Sequence, residues 1–73
     1  MPKYQYTVVV EQDDDGVFIS SCPVLQGCHS QGETYEEAIE NIKEAIQLHI
    51  EARQCLGDPV PIEIAVDRVE VEI

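Results

Sequence analysis

The chain has 73 residues, of which 15 are Asp or Glu and four are Lys or Arg, so its formal net charge is −11. A surface that binds DNA or RNA neutralises phosphates with clustered basic side chains, and the four basic residues here are spread along the chain. The sequence therefore argues against direct nucleic-acid binding, and it favours either a basic protein partner or acidity that serves solubility alone. The length fits one domain, which we expect to span residues 1–73.

Composition also indicates where the protein works and what its core contains. One Phe, three Tyr and no Trp leave Val, Ile and Leu to build a thin aliphatic core. No apolar signal region and no stretch long enough to span a membrane are found. Three cysteines, an odd number, argue for a reducing compartment. The sequence predicts a cytoplasmic protein, and nothing in it indicates a cofactor.

The first part of the chain predicts a β-hairpin. Residues 4–11 and 17–21 are rich in β-branched and aromatic types, and the segment between them carries turn residues. Gly16 can adopt positive φ at the end of that turn. Asp13, Asp14 and Asp15 are interpreted as a solvated hairpin tip, in preference to a metal site.

The middle of the chain predicts a short strand and then one long helix. The chain bends at Gly27 into a third strand at 28–31, which Gly32 ends. Thr34 and Glu37 form a capping-box pattern, and apolar residues then recur at helical spacing to about residue 56. Gly57 is the expected C-cap, and prolines follow it.

The last residues predict a fourth strand. Apolar side chains alternate on even positions from 62 to 66 and on odd positions from 69 to 73, so a bend must lie at 67–68. We assign the strand to residues 68–73. The order is βββαβ, an α+β two-layer sandwich whose mostly antiparallel sheet is covered by one long helix. The other sheet face is left for a partner or a second copy.

These motifs together resemble those of a known family. The residues that carry the resemblance are Asp15-Gly16, Pro23, Leu25, Gly27, Cys28, Ser30, Gly32, Thr34, Glu36-Glu37-Ala38, Asn41 and Glu44-Ala45-Ile46. They resemble the HicB family of bacterial and archaeal antitoxins. The resemblance implies a partial ribonuclease-H-like fold and a non-enzymatic protein that binds and silences HicA, a small basic messenger-RNA-cleaving toxin. Family antitoxins usually carry a further DNA-binding segment, which we do not expect in residues 1–73.

The expected toxin contacts are acidic residues of the hairpin and helix: Asp13, Asp14, Glu36, Glu40 and Glu44. We also expect a homo-dimer or tetramer. One alternative is a homo-oligomer of the same fold without a toxin. The other is a metal-dependent nuclease, for which the candidate carboxylates would be Glu11, Glu37, Glu40, Glu44, Glu70 and Glu72.

Cysteine and histidine chemistry is disfavoured by spacing. Zinc ligation would draw on Cys22, Cys28, His29, His49 and Cys55, whose separations fit no compact zinc motif. A nucleophilic Cys28 assisted by His29 would require two adjacent strand side chains to meet, and these point to opposite faces.

Overall fold

The computed structural model describes residues 4–73, in which three antiparallel strands precede one long helix. The strands are β1 (Val9–Gln12), β2 (Phe18–Ser21) and β3 (His29–Gly32), and the helix is α1 (Tyr35–Leu56). The sheet has the order β1-β2-β3. α1 packs mainly on β3, less on β2 and least on β1. The predicted α+β arrangement of an antiparallel sheet under one long helix is confirmed.

Strand register determines which side chains face the helix. Val10 lies opposite Ser20, and Ser20 lies opposite Ser30, so these three share one face. Ser20 is fully buried beneath α1, and its hydroxyl donates to the carbonyl of Ala38 over 2.9 Å. Because side chains alternate along a strand, Glu11 and Ile19 lie on the opposite, uncovered face.

The β1–β2 turn is held by its own first residue. The N–H of Asp13 donates to the carbonyl of Val17, and that of Gly16 donates to the carbonyl of Asp13. The Asp13 carboxylate accepts the N–H groups of Asp15 and Val17, both over 2.9 Å. Gly16 has φ of 85°, as the end of a three-residue hairpin loop requires. The predicted turn is confirmed. β1 begins later than expected, at Val9, because Val9 pairs with Ser21, the last residue of β2, so residues 4–8 have no β2 residue to pair with.

The loop between β2 and β3 is part of the core. The N–H of Cys22 donates to Cys28, that of Leu25 to Cys22, and that of Cys28 to Leu25, each to a carbonyl at 3.0–3.1 Å. Gly27 completes the bend with φ of 79°. Leu25 is 1% exposed and packs with Ile42 of the helix. The loop therefore folds around a buried leucine.

The start of α1 is fixed by a cap and by a close approach. Thr34 is the N-cap, and its hydroxyl oxygen accepts the N–H of Glu37 over 3.1 Å. The Glu37 carboxylate accepts the N–H of Glu33 in return, one residue before the position expected for a capping box. Gly32 lies directly beneath this turn, where an added Cβ would be 2.5 Å from the amide nitrogen of Ala38. No side chain fits at Gly32.

The end of α1 was also predicted correctly. Gly57 adopts φ of 74°, and its N–H donates to the carbonyl of Gln54 over 3.2 Å. The N–H of Asp58 reaches back to the carbonyl of Arg53 over 2.9 Å, which completes a Schellman-type cap. The Arg53 guanidinium donates to the carbonyl of Pro59 and directs the chain back towards the sheet.

The predicted fourth strand, residues 68–73, does not form, which corrects the βββαβ order to βββα in the isolated chain. Residues 57–63 return to the sheet, where Val60 packs against the core and the Tyr6 hydroxyl donates to the carbonyl of Pro61 over 2.6 Å. The carboxylate of Glu63 then accepts the N–H and hydroxyl of Thr7. Residues 64–73, hereafter the tail, lie exposed beyond this point. A strand needs a partner edge for its backbone groups, and within residues 4–73 the tail pairs with none.

Candidate partner-binding surface

One face of α1 carries most of the candidate contact residues. Glu36, Glu40 and Glu44 are exposed and follow one another at a spacing of four, which places them in a row along the helix. Leu48 and Glu51 continue this surface towards the C-terminal end. Leu48 is 64% exposed. We refer to Glu36, Glu40, Glu44, Leu48 and Glu51 as the acidic helix face.

The hairpin tip lies at the same end of the molecule as the start of this face. Phe18 pairs with Gly32, and Gly32 contacts the first turn of α1. The structure therefore brings exposed Asp13 and Asp14 to the end where Glu36 lies. Glu44 is eight helical residues further along, about 12 Å away from Glu36 at 1.5 Å per residue. Asp13 holds its own turn, which makes Asp14 the freer of the two aspartates for a partner.

Several residues of the motif pattern belong to the scaffold, in contrast to the exposed Glu36 and Glu44. Leu25, Cys28 and Ala38 are buried. The side-chain amide of Asn41 donates to the carbonyl of Gln31 over 2.8 Å and ties α1 to β3. These positions build the support on which the acidic helix face is displayed.

The cysteines and histidines do not form a reactive or metal-binding group. Burial raises the pKa of the Cys22 and Cys28 thiols, which keeps them protonated near neutral pH. His29 is exposed on the sheet face away from Cys28, as strand alternation requires. His49 accepts a hydrogen bond from the Arg53 guanidinium over 2.8 Å. Within residues 4–73, no three Asp, Glu, His or Cys residues are close enough to hold a metal ion.

A second surface feature is an apolar groove, which the sequence pattern did not indicate. It has a volume of about 260 Å³ and separates the segment before β1 from α1. Its walls are Tyr4, Tyr6 and Val8 on one side and Ile39, Ile42, Lys43 and Ile46 on the other. We call it the β1 groove. It exists because α1 covers β3 and β2 more fully than β1.

Tyr6 connects this groove to the chain after the helix. Its ring stacks with that of Tyr4 at a centroid distance of 6.2 Å. Burial, and then the neighbouring Tyr4 hydroxyl, raise the pKa of Tyr6, so the hydroxyl remains a hydrogen-bond donor to Pro61. One tyrosine therefore lines the groove and anchors the approach to the tail.

Comparison with known proteins identifies the family. Residues 6–72 match the family model of the HicB-like antitoxins of bacterial toxin–antitoxin systems. The chain belongs to the HicB-like antitoxin family. It is 55% identical over 60 residues to a UPF0150 protein of Synechocystis, a match that covers 82% of this chain and 76% of the relative. A UPF0150 protein of Thermoplasma acidophilum is 42% identical over 57 residues, covering 78% of this chain and 83% of the relative.

A solved structure of the family supports the fold. The N-terminal domain of the Burkholderia pseudomallei antitoxin HicB superimposes with a TM-score of 0.72 and 37% sequence identity. The match covers 81% of this chain and 69% of that domain. At this identity the likeness reflects family membership and shared architecture together. α1, the one helix among residues 4–73, is not apolar enough to cross a membrane.

Proposed function

We propose that this HicB-like chain is an antitoxin that binds and neutralises a small basic, HicA-like toxin that cleaves messenger RNA. The observation that carries the proposal is the acidic helix face, a row of exposed carboxylates on a rigid, capped helix. A ribonuclease that binds RNA needs a basic surface, and a rigid row of carboxylates is complementary to it. The antitoxin then acts by occupation of that surface and needs no chemistry of its own.

Leu48 adds an apolar centre to this surface. A charged rim steers association and sets specificity, whereas desolvated apolar anchors usually supply more of the affinity. Leu48 is flanked by Glu44 and Glu51, so it has the arrangement of an apolar contact within a polar rim. We expect Leu48→Ala to accelerate dissociation from the toxin and leave the association rate nearly unchanged.

The test is binding to a small basic protein encoded beside this chain, measured by calorimetry and by rescue of growth on co-expression. Replacing Glu36, Glu40 and Glu44 by Gln should weaken binding about 10- to 100-fold, because three charges leave one contact surface. The matched control is Glu11→Gln, Asp58→Asn and Asp67→Asn, which removes the same charge from exposed positions elsewhere. Equal losses in the two triple variants would show that net charge, and not this face, determines binding.

Homo-oligomer formation by the same fold is the second candidate, and the exposed tail favours it. If no basic protein binds at low salt and the chain forms a stable oligomer, the homo-oligomer hypothesis is supported and the antitoxin hypothesis is rejected. A metal-dependent nuclease would instead require that Mg²⁺ or Mn²⁺ promote cleavage of RNA or RNA–DNA hybrids by this chain.

A further inference from the structure

The tail is an apolar strand sequence without a strand partner. Val69, Val71 and Ile73 alternate with acidic residues, and Val69 and Val71 are 81% and 73% exposed. Alternation of this kind is typical of a strand with one buried face. A single chain thus exposes a stripe of β-branched side chains to water, which is energetically unfavourable.

Within residues 4–73, one outer edge of the sheet, that of β1, has no paired strand and can accept one. β1 is an outer strand of the sheet, and the β1 groove lies beside it. Asp13 donates its N–H to Val17 of the neighbouring chain segment. Because backbone groups alternate, the N–H groups of Val9 and Thr7 point to the β2 side as well. The groups of Val8 and Val10 therefore point to the free edge.

Glu63, the residue directly before the tail of the same chain, lies on the other side of this segment. The Thr7 N–H, which points to the β2 side, is taken by the carboxylate of Glu63. Glu63 also contributes, after burial, to the raised pKa of Cys22, the residue that follows β2. The chain therefore passes residues 4–8 on the side opposite the free edge.

We propose that the tail of a second copy of this chain adds as a strand to the free edge of β1 and places Val69, Val71 and Ile73 over the β1 groove. The exchange is reciprocal, so that two copies related by a two-fold axis each donate a tail and each accept one. The inference concerns a different surface from the acidic helix face and does not depend on toxin binding.

Charge and size agree with this occupant. Lys43 borders the groove, and an accepted tail carries Glu70 and Glu72 between its apolar residues. Ten extended residues expose on the order of 1,500 Å². If about half of each tail is buried, the two tails and the groove surface that they cover together bury more area than the roughly 1,200 Å² of a stable interface.

The first test is the mass of the full chain by sedimentation equilibrium. We expect a dimer, twice the 8.2 kDa of one chain, at micromolar concentration. Val69→Ser with Val71→Ser should weaken dimerisation at least about 100-fold, because both changes remove apolar contacts twice per dimer. The matched control, Glu70→Ser with Glu72→Ser on the opposite face of the same segment, should change the dissociation constant less than about fivefold. A monomeric wild-type chain, or equal losses from the two pairs, would overturn the proposal.

The second test distinguishes exchange between copies from other dimers. Ile39→Glu places a charge in the groove, and Lys43→Glu repels the acidic tail at an exposed position that should leave the fold intact. Each groove variant should dimerise weakly alone. Mixed with the Val69→Ser, Val71→Ser variant, it should form a heterodimer tighter than either homodimer, since one intact tail then meets one intact groove. A heterodimer no tighter than the homodimers would contradict strand exchange.

Discussion

The two edges of the sheet differ in how completely one chain covers and hydrogen-bonds them. We call the part formed by β2 and β3 the closed side and the part formed by β1 the open side. On the closed side, β2, β3 and the loop around Leu25 lie under α1, and hydrogen bonds join these elements to one another. On the open side, β1 has a free edge, the groove beside it is unfilled, and the tail is exposed. The closed side defines the fold, whereas the open side has the composition of an interface. The residues that build the core are therefore different from those of the proposed dimer interface.

The largest expected contrast compares Leu25→Ala with Ile64→Ala. Leu25 is 1% exposed and Ile64 is 95% exposed. Removal of the buried side chain leaves a cavity and should lower the free energy of unfolding by about 3 kcal/mol, whereas the exposed change should cost less than about 0.5 kcal/mol. Urea denaturation followed by circular dichroism measures both. Similar losses in the free energy of unfolding for the two variants would contradict the distinction between the closed and open sides.

Gly32→Ala tests the tightest contact on the closed side. The new methyl group would be forced against the Ala38 amide, so we expect a loss of about 2 kcal/mol or more in the free energy of unfolding. Gly57→Ala is the control, since its Cβ meets open space and only the left-handed backbone is strained, at about 1 kcal/mol. Thermal denaturation should rank the variants in this order. A milder effect at Gly32 would mean that α1 can shift on the sheet.

Salt should separate the two proposed interfaces by opposite signs. Binding of a basic toxin to the acidic helix face is attraction between unlike charges, so its dissociation constant should rise about tenfold from low to high salt. Two copies of net charge −11 repel each other, so dimerisation should tighten with salt. Sedimentation and calorimetry over one salt series test both. Salt effects of the same sign would show that one of the two surfaces has been misassigned.

The smallest expected effect is alkaline destabilisation of the closed side. Burial raises the pKa of the Cys22 and Cys28 thiols above their ordinary value of about 8.5. The folded chain therefore binds more protons than the unfolded chain above that pH, and the free energy of unfolding should fall as the pH rises through the two folded-state pKa values. Cys22→Ser should flatten this decline. Cys55→Ser, at an exposed thiol, is the matched control substitution.

Local signals in the sequence were sufficient for much of the closed side. Gly16, Thr34 and Gly57 each occupy a backbone position with a specific chemical requirement, and all three were assigned correctly. The close approach at Gly32 was not foreseen, because it depends on where the helix packs and not on neighbouring residues. The candidate carboxylates Glu36, Glu40 and Glu44 are displayed together as the helical period predicts.

The open side could not be predicted from the pattern of one chain. Alternation at 68–73 indicates a strand, but it does not reveal which edge pairs with that strand or whether the edge belongs to the same molecule. The β1 groove arises from incomplete coverage by α1, which is a property of packing. Leu48 is part of the helical sequence, and its exposure among glutamates became evident only from the structure.

The arrangement of the core has a consequence for the order of folding. The buried cluster draws all its members from residues 22–50, namely Cys22, Leu25, Cys28, Ile42 and Ile50. Contacts that are close in sequence form quickly, and a chain folds as it is synthesised from its N-terminus. All five residues of this buried cluster are therefore synthesised before the Glu63 anchor and the tail. The segment that we propose joins two molecules is made after the core is complete.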